Sequence, residues 1–144
     1  MRANELMIGN FAWADGSIVL IREIGEKQTS VFWDDKRPER RFINCNIIPN
    51  DWIRPIPITD ELLQKIGFDE PFYRTDTKCY THVCSLDNGY QLWARFHVSG
   101  EYWYLDVVNE DGFILSSGKV DYLHQLQNLC NIAGLDVELN IDKL

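Results

Sequence analysis

The sequence predicts an α+β fold: an N-terminal small β-barrel-like half, a short helix, then an antiparallel aromatic-rich sheet with a C-terminal helix packed on it. Three observations carry this reading. Short apolar runs alternate with tight-turn signals such as Asp15-Gly16, Asn88-Gly89 and Glu110-Asp111-Gly112. A helix-start hydroxyl at Thr59 is followed by acids, apolar residues and Gly67. Near the C-terminus, Leu123, Leu126, Leu129, Cys130 and Ala133 recur at three-to-four spacing and stop at Gly134.

In the first part, Met7–Trp13 reads as a strand closed by Asp15-Gly16, a strong tight-turn pair. Ser17–Ile24 follows, with Ile18, Leu20 and Arg22 on one face and Val19, Ile21 and Glu23 on the other. Thr29–Trp33 is a third strand. A charged tip over 34–40 leads to a fourth strand, Arg41–Ile48. Trp52–Ile58 is extended, because Pro55 and Pro57 forbid helix and push their predecessors to extended angles. Five short strands in fewer than sixty residues suggest a small bent barrel of the Src-homology type, with an open meander as the competing layout.

Thr59 is an N-cap hydroxyl, and Asp60 and Glu61 suit the positive end of a helix dipole. Leu62, Leu63 and Ile66 form the stripe to be buried, Gly67 the left-handed cap, and Phe68 packs back on the last turn. A second meander follows over 71–118: an edge strand Phe72–Thr75, then Lys78–Leu86, Tyr90–Val98, Tyr102–Asn109 and Phe113–Ser116. Val120–Ala133 is the second helix, and Asp136–Ile141 a last short strand or a tail. The candidate boundary lies near Ile58-Thr59, dividing 1–58 from 59–144. It is too short for a flexible tether, so the two parts are expected to pack together.

Composition excludes several classes. Eighteen Trp, Tyr and Phe residues among 144 argue against disorder. The first ten residues contain Asn4, Glu5 and Asn10, which deny a secretory signal its apolar core, and the apolar runs are far too short for a membrane span. A cytoplasmic protein with no membrane association is expected. Cys45, Cys79, Cys84 and Cys130 are dispersed without a C-x-x-C, so free thiols are expected. The net charge of −8 falls wholly on residues 59–144, with six Lys/Arg against fourteen Asp/Glu. Such an acidic half repels phosphate, which disfavours nucleic acid as a partner, and it attracts basic surfaces.

Chemistry-bearing patterns are sparse. Cys79-x-x-His82-x-Cys84 has zinc-ligand residue types, but strand alternation points His82 and Cys84 one way and Cys79 the other. His124 and Cys130 lie nearly opposite on the second helix, so they cannot form a nucleophile pair. No Gly-rich phosphate loop is present. Asp34-Asp35 and Glu110-Asp111 sit in turns, where adjacent acids are solvated. The basic tip Lys36-Arg37-Pro38-Glu39-Arg40-Arg41 carries little excess charge once its acids are counted.

Three segments carry a resemblance: Arg2-Ala3-Asn4-Glu5-Leu6-Met7-Ile8-Gly9-Asn10, then Pro55-Ile56-Pro57-Ile58-Thr59-Asp60-Glu61-Leu62-Leu63 through Gly67-Phe68, and Val120-Asp121-Tyr122-Leu123-His124-Gln125-Leu126-Gln127-Asn128-Leu129. In this order they resemble an uncharacterised family of small proteins from gut anaerobic bacteria and their phages or mobile elements. The resemblance implies a cytoplasmic accessory protein and brings no activity, cofactor or catalytic residue.

The expected function is a non-enzymatic module that binds a protein partner, without metal or cofactor. The residues expected to bind are Trp93, Trp103, Tyr122, His124 and Gln125, since Trp and Tyr on a sheet face suit partner recognition. The alternative is a small enzyme using His82, His124 or a cysteine in a histidine-containing pocket between the two halves.

Overall fold

The computed structural model describes residues 7–33 and 45–135. Among these, ten strands form two five-stranded antiparallel sheets, accompanied by two helices. The chain divides into two compact units, one of residues 1–57 with 122–124, the other of 58–121 with 125–144. No helix of the described residues is long and apolar enough to cross a membrane. The basic tip, the first half of the expected Arg41–Ile48 strand and the expected Asp136–Ile141 strand lie outside the described residues.

In the first unit the strands are β1 (Phe11–Ala14), β2 (Ser17–Ile24), β3 (Gln28–Trp33), β4 (Cys45–Pro49) and β5 (Ile53–Arg54), in the order β4-β3-β2-β1-β5. Asp15 and Gly16 both have positive φ, 49° and 75°, and Ala14 pairs with Ser17. This is the two-residue turn whose twist matches the flanking strands. Ala12, Ala14, Val19, Ile21, Val31, Ile48 and Ile53 make the core, with Ile24 and Trp33 against it. The expected strict alternation along β2 fails at Arg22, where the register to β3 shifts between Ile21 and Glu23. A bulge there adds one residue, which takes Glu23 off the core face and puts Ile24 on it.

Three further expectations for this unit need correction. Trp52 ends a 3-10 turn over Asn50–Trp52, so that the last strand is Ile53–Arg54 alone. The first strand starts at Phe11 rather than Met7, because Gly9 turns the chain at φ 92° and Asn10 Oδ1 accepts from the Met7 backbone N–H at 2.7 Å. The sheet is also not a closed barrel. Closure would need β4 to pair with β5, and among the described residues each of these edge strands pairs with one neighbour only.

The second unit holds α1 (Asp60–Lys65), β6 (Phe72–Arg74), β7 (Cys79–Ser85), β8 (Gln91–His97), β9 (Tyr102–Val108), β10 (Ile114–Lys119) and most of α2 (Leu123–Ile132). Its strand order, β10-β9-β8-β7-β6, is that of a simple meander. Thr59 Oγ1 accepts from the Leu62 N–H at 3.1 Å, satisfying one of the free donors of the first turn of α1. At the other end Phe68 N donates to Leu63 O and Gly67 N to Gln64 O, a Schellman cap made possible by Gly67 at φ 113°. α2 ends the same way: Leu135 N donates to Cys130 O and Gly134 N to Asn131 O, with Gly134 at φ 78°.

α2 starts three residues later than its pattern suggests. Tyr122 is held in an antiparallel bridge with Pro57, and the Leu123 N–H donates to Ile56 O. This pairing between residues distant in sequence keeps the backbone extended up to the first turn. β10 runs on to Lys119, beyond the expected Ser116, since its pairing with β9 continues through Ser117, Gly118 and Lys119.

Candidate functional site

The register of the second sheet sorts its side chains into two faces, because directly paired residues share a face and neighbours along a strand alternate. One face carries His82, Leu92, Ala94, Trp103, Leu105 and Val107. All six are buried, and both helices contact this side. Ser116 Oγ donates to Leu129 O of α2, and His82 reaches Asp60 at the start of α1.

His82 has no exposed surface. Its Nε2 lies 2.7 Å from Asp60 Oδ1 and its Nδ1 2.8 Å from Asp69 O. Both partners are hydrogen-bond acceptors. Held this way, the imidazole ties both ends of the α1 segment to β7. On the same side, burial and then the charge of Asp69 raise the Cys84 thiol above its ordinary range. Burial, with Cys84 nearby, pushes Cys130 up to about 12. Both sulfurs are therefore held as neutral thiols, poor nucleophiles and poor metal ligands.

The opposite face is different in kind. Across the strands it reads Arg74–Cys79–His97–Tyr102, then Phe72–Thr81–Arg95–Tyr104–Lys119, then Val83–Trp93–Asp106–Ser117, then Ser85–Gln91–Val108–Ile114. Trp93, Arg95, His97, Tyr102 and Tyr104 are half-buried, whereas Phe72, Arg74, Ile114 and Lys119 are exposed. Arg95 Nη2 donates to Asp106 Oδ2 at 2.6 Å, Ser117 Oγ donates to Asp106 Oδ1 at 2.7 Å, and the Arg95 guanidinium lies 5.6 Å from the Tyr104 ring centroid. Trp93 Nε1–H donates to Gln91 Oε1 at 3.0 Å, leaving the indole ring partly open. His97 stacks on Tyr102 with centroids 4.7 Å apart, and the Lys119 ammonium sits 5.6 Å from the same ring. At the rim, the Arg74 guanidinium bonded to Asp76 holds that carboxyl below the usual carboxylate range. Thr81 Oγ1 and Arg95 Nε, on paired residues, are buried without a hydrogen-bond partner among the described residues.

Cys79 Sγ lies 3.2 Å from His97 Nδ1 and 3.2 Å from Thr77 O. This thiol–imidazole pair has the separation of a nucleophile and its base. Cys79, however, exposes none of its surface, so no acyl group reaches its sulfur. A cleft of about 560 Å³ at the β2–β3 turn is lined by residues including Glu23, Glu26, Lys27 and Ile47 and brings no thiol or imidazole into its wall.

The five residues singled out by sequence are not one cluster. Trp93 is half-buried on the open face of the second sheet. Trp103 is buried on the helix-covered face, 5.1 Å from the Phe96 ring and 5.8 Å from His82. Tyr122 stacks on His124 at 5.8 Å, and His124 is buried. Gln125 Oε1 accepts from the Asp121 N–H at 2.7 Å, a bond that closes the entry to α2. Arg95, His97, Tyr102, Tyr104 and Asp106 were not singled out, although the hairpin signals around them could have placed them on the face of Trp93.

No family model matches the chain, and no curated protein or solved structure does so either.

Proposed function

We propose that the chain is a non-enzymatic protein-binding module, and that its contact surface is the open face of the second sheet, which carries Trp93, Tyr102 and Tyr104. The observation that carries this reading is that Trp93, Arg95, His97, Tyr102 and Tyr104 lie on paired strands and are held by hydrogen bonds and ring contacts. Trp, Tyr and Arg dominate the energetics of protein interfaces, and side chains already fixed in place lose little entropy on docking. Elsewhere the Cys84 and Cys130 thiols are held neutral, and the two histidine pairs, His82–Asp60 and Cys79–His97, each contain a member with no exposed surface. That supports binding over the small-enzyme alternative. The resemblance to an uncharacterised family of small proteins from gut anaerobic bacteria and their phages or mobile elements supports a cytoplasmic accessory role.

The test is affinity capture from lysate of the native host with the wild-type chain and with Trp93→Ser/Tyr104→Ser, nuclease present throughout. A protein retained by the wild type and lost by the double variant, with the variant still folded by circular dichroism, is the expected result. Equal retention by both chains refutes the assignment of this face.

A further inference from the structure

At the β9–β10 end of the second sheet three consecutive apolar residues are exposed, Phe113, Ile114 and Leu115 at 68%, 60% and 42%, and pairing with Val108 places Ile114 on the open face. Runs of this kind on a surface mark contact sites. Ile114 pairs with Val108, Val108 with Gln91, and Trp93 lies on the same face one pair further in. Through Ile114 the exposed run meets the half-buried strip of Val108, Trp93 and Val83. The strip is rigid at its tip. Asn109 Oδ1 accepts from Asp111 N and Phe113 N, and Asn88 Oδ1 from Tyr90 N. The two turns at this end touch: a methyl group on Gly89 would lie 3.2 Å from Glu110 Cβ. Asp87, Glu110 and Asp111 are therefore gathered, all exposed, beside the apolar strip. Residues 85–92 and 108–115 contain no Lys, Arg or His to offset them. Further along the face, Arg95 is paired with Asp106 and Lys119 with Asp121.

From this juxtaposition we infer that the end of the open face formed by Trp93, Val108 and Ile114, flanked by the exposed Phe113 and Leu115, docks a basic amphipathic segment of a partner protein. The partner's apolar side chains cover the strip, and its Lys or Arg side chains meet Asp87, Glu110 and Asp111. The inference rests on the binding-face reading and names its partner class. A second copy of the chain fits poorly, because a two-fold contact sets the same three carboxylates against each other. Nucleic acid fits poorly because phosphate meets the same charges.

The experiment uses the full chain and labelled synthetic peptides of about five helical turns, one patterned with Leu and Lys, one with Glu in place of every Lys. Binding is read by fluorescence anisotropy, and its location by the indole N–H resonance of Trp93. The Lys peptide is expected to bind about tenfold or more tightly than the Glu peptide and to shift Trp93. Asp87→Asn/Glu110→Gln/Asp111→Asn is expected to weaken it about tenfold, and Phe113→Ser/Ile114→Ser to abolish it. Equal binding of both peptides with Trp93 shifted overturns the basic partner while leaving the binding face. Binding that leaves Trp93 unmoved, or no binding at all, overturns the docking site. So does a wild-type dimer in light scattering that Phe113→Ser/Ile114→Ser makes monomeric, or a single-stranded oligonucleotide binding as tightly as the Lys peptide.

Discussion

The two faces of the second sheet are built from the same strands and differ in what covers them. On one, Leu92, Ala94, Leu105 and Val107 lie wholly buried on the helix side. On the other, Trp93, Arg95, Tyr104 and Asp106 alternate with them along the same backbone. The first face holds the unit together by removing apolar area from water. The second keeps large side chains half-open and holds them with hydrogen bonds and ring contacts. That contrast separates residues that give stability from residues available for recognition, and substitutions on neighbouring positions can break it.

The largest effect is expected at Leu105 set against Tyr104. Leu105→Ala leaves a cavity in the helix-covered core and should cost about 3 kcal/mol in urea unfolding. Tyr104→Ala should cost about 1 kcal/mol or less, since its ring is already partly in water. Similar losses at both positions would erase the distinction between the faces.

Next comes the alkaline limb. Cys130 titrates at about 12 in the folded chain against an ordinary 9.0, so its contribution is fully present below pH 9 and is lost as pH rises towards 12. Cys130→Ala should flatten the fall of stability in that window by up to about 1.4 kcal/mol per pH unit. Parallel curves for the two chains would mean that the thiol is not held in its neutral form by burial.

Thr59→Ala removes the N-cap acceptor of α1 and should lower stability by about 1 kcal/mol, with Thr59→Ser restoring most of it. The smallest effect sharpens the other face. Thr81→Val keeps the shape of a buried strand residue and removes a hydroxyl that lacks a partner, so thermal unfolding should be unchanged or rise by about 1 kcal/mol equivalent. A clear loss would show that the hydroxyl is bonded on the open face.

Local chemistry made much of this fold legible. Thr59, Gly67 and Gly134 announce their caps because a cap is read from neighbouring residues alone. Asp15-Gly16 announces its turn for the same reason. What stayed hidden depends on pairing between distant residues. The Pro57–Tyr122 bridge delays α2, and the Arg22 bulge reverses the end of β2, yet neither has a local signature. The site turns on one residue of register. The chain between β7 and β8 pairs Leu86 with Tyr90 around Asp87-Asn88-Gly89, which sets Cys79 opposite His97 and Thr81 opposite Arg95. Had Asn88-Gly89 closed a two-residue turn, Cys79 would oppose Val98 and the pairs would not form. Trp93 and Trp103 looked equivalent as aromatic residues in strands. Register places them on opposite faces, one half-open and one in the core.

The most direct test is chemical-shift mapping of the chain with the partner recovered by affinity capture. Perturbations concentrated on Trp93, Arg95, Tyr102, Tyr104 and Phe113–Leu115, with the amides of β2 and β3 unmoved, are what the binding-face account predicts. Perturbations confined to the first sheet, with the resonances of Trp93 and Tyr104 unchanged, would contradict it.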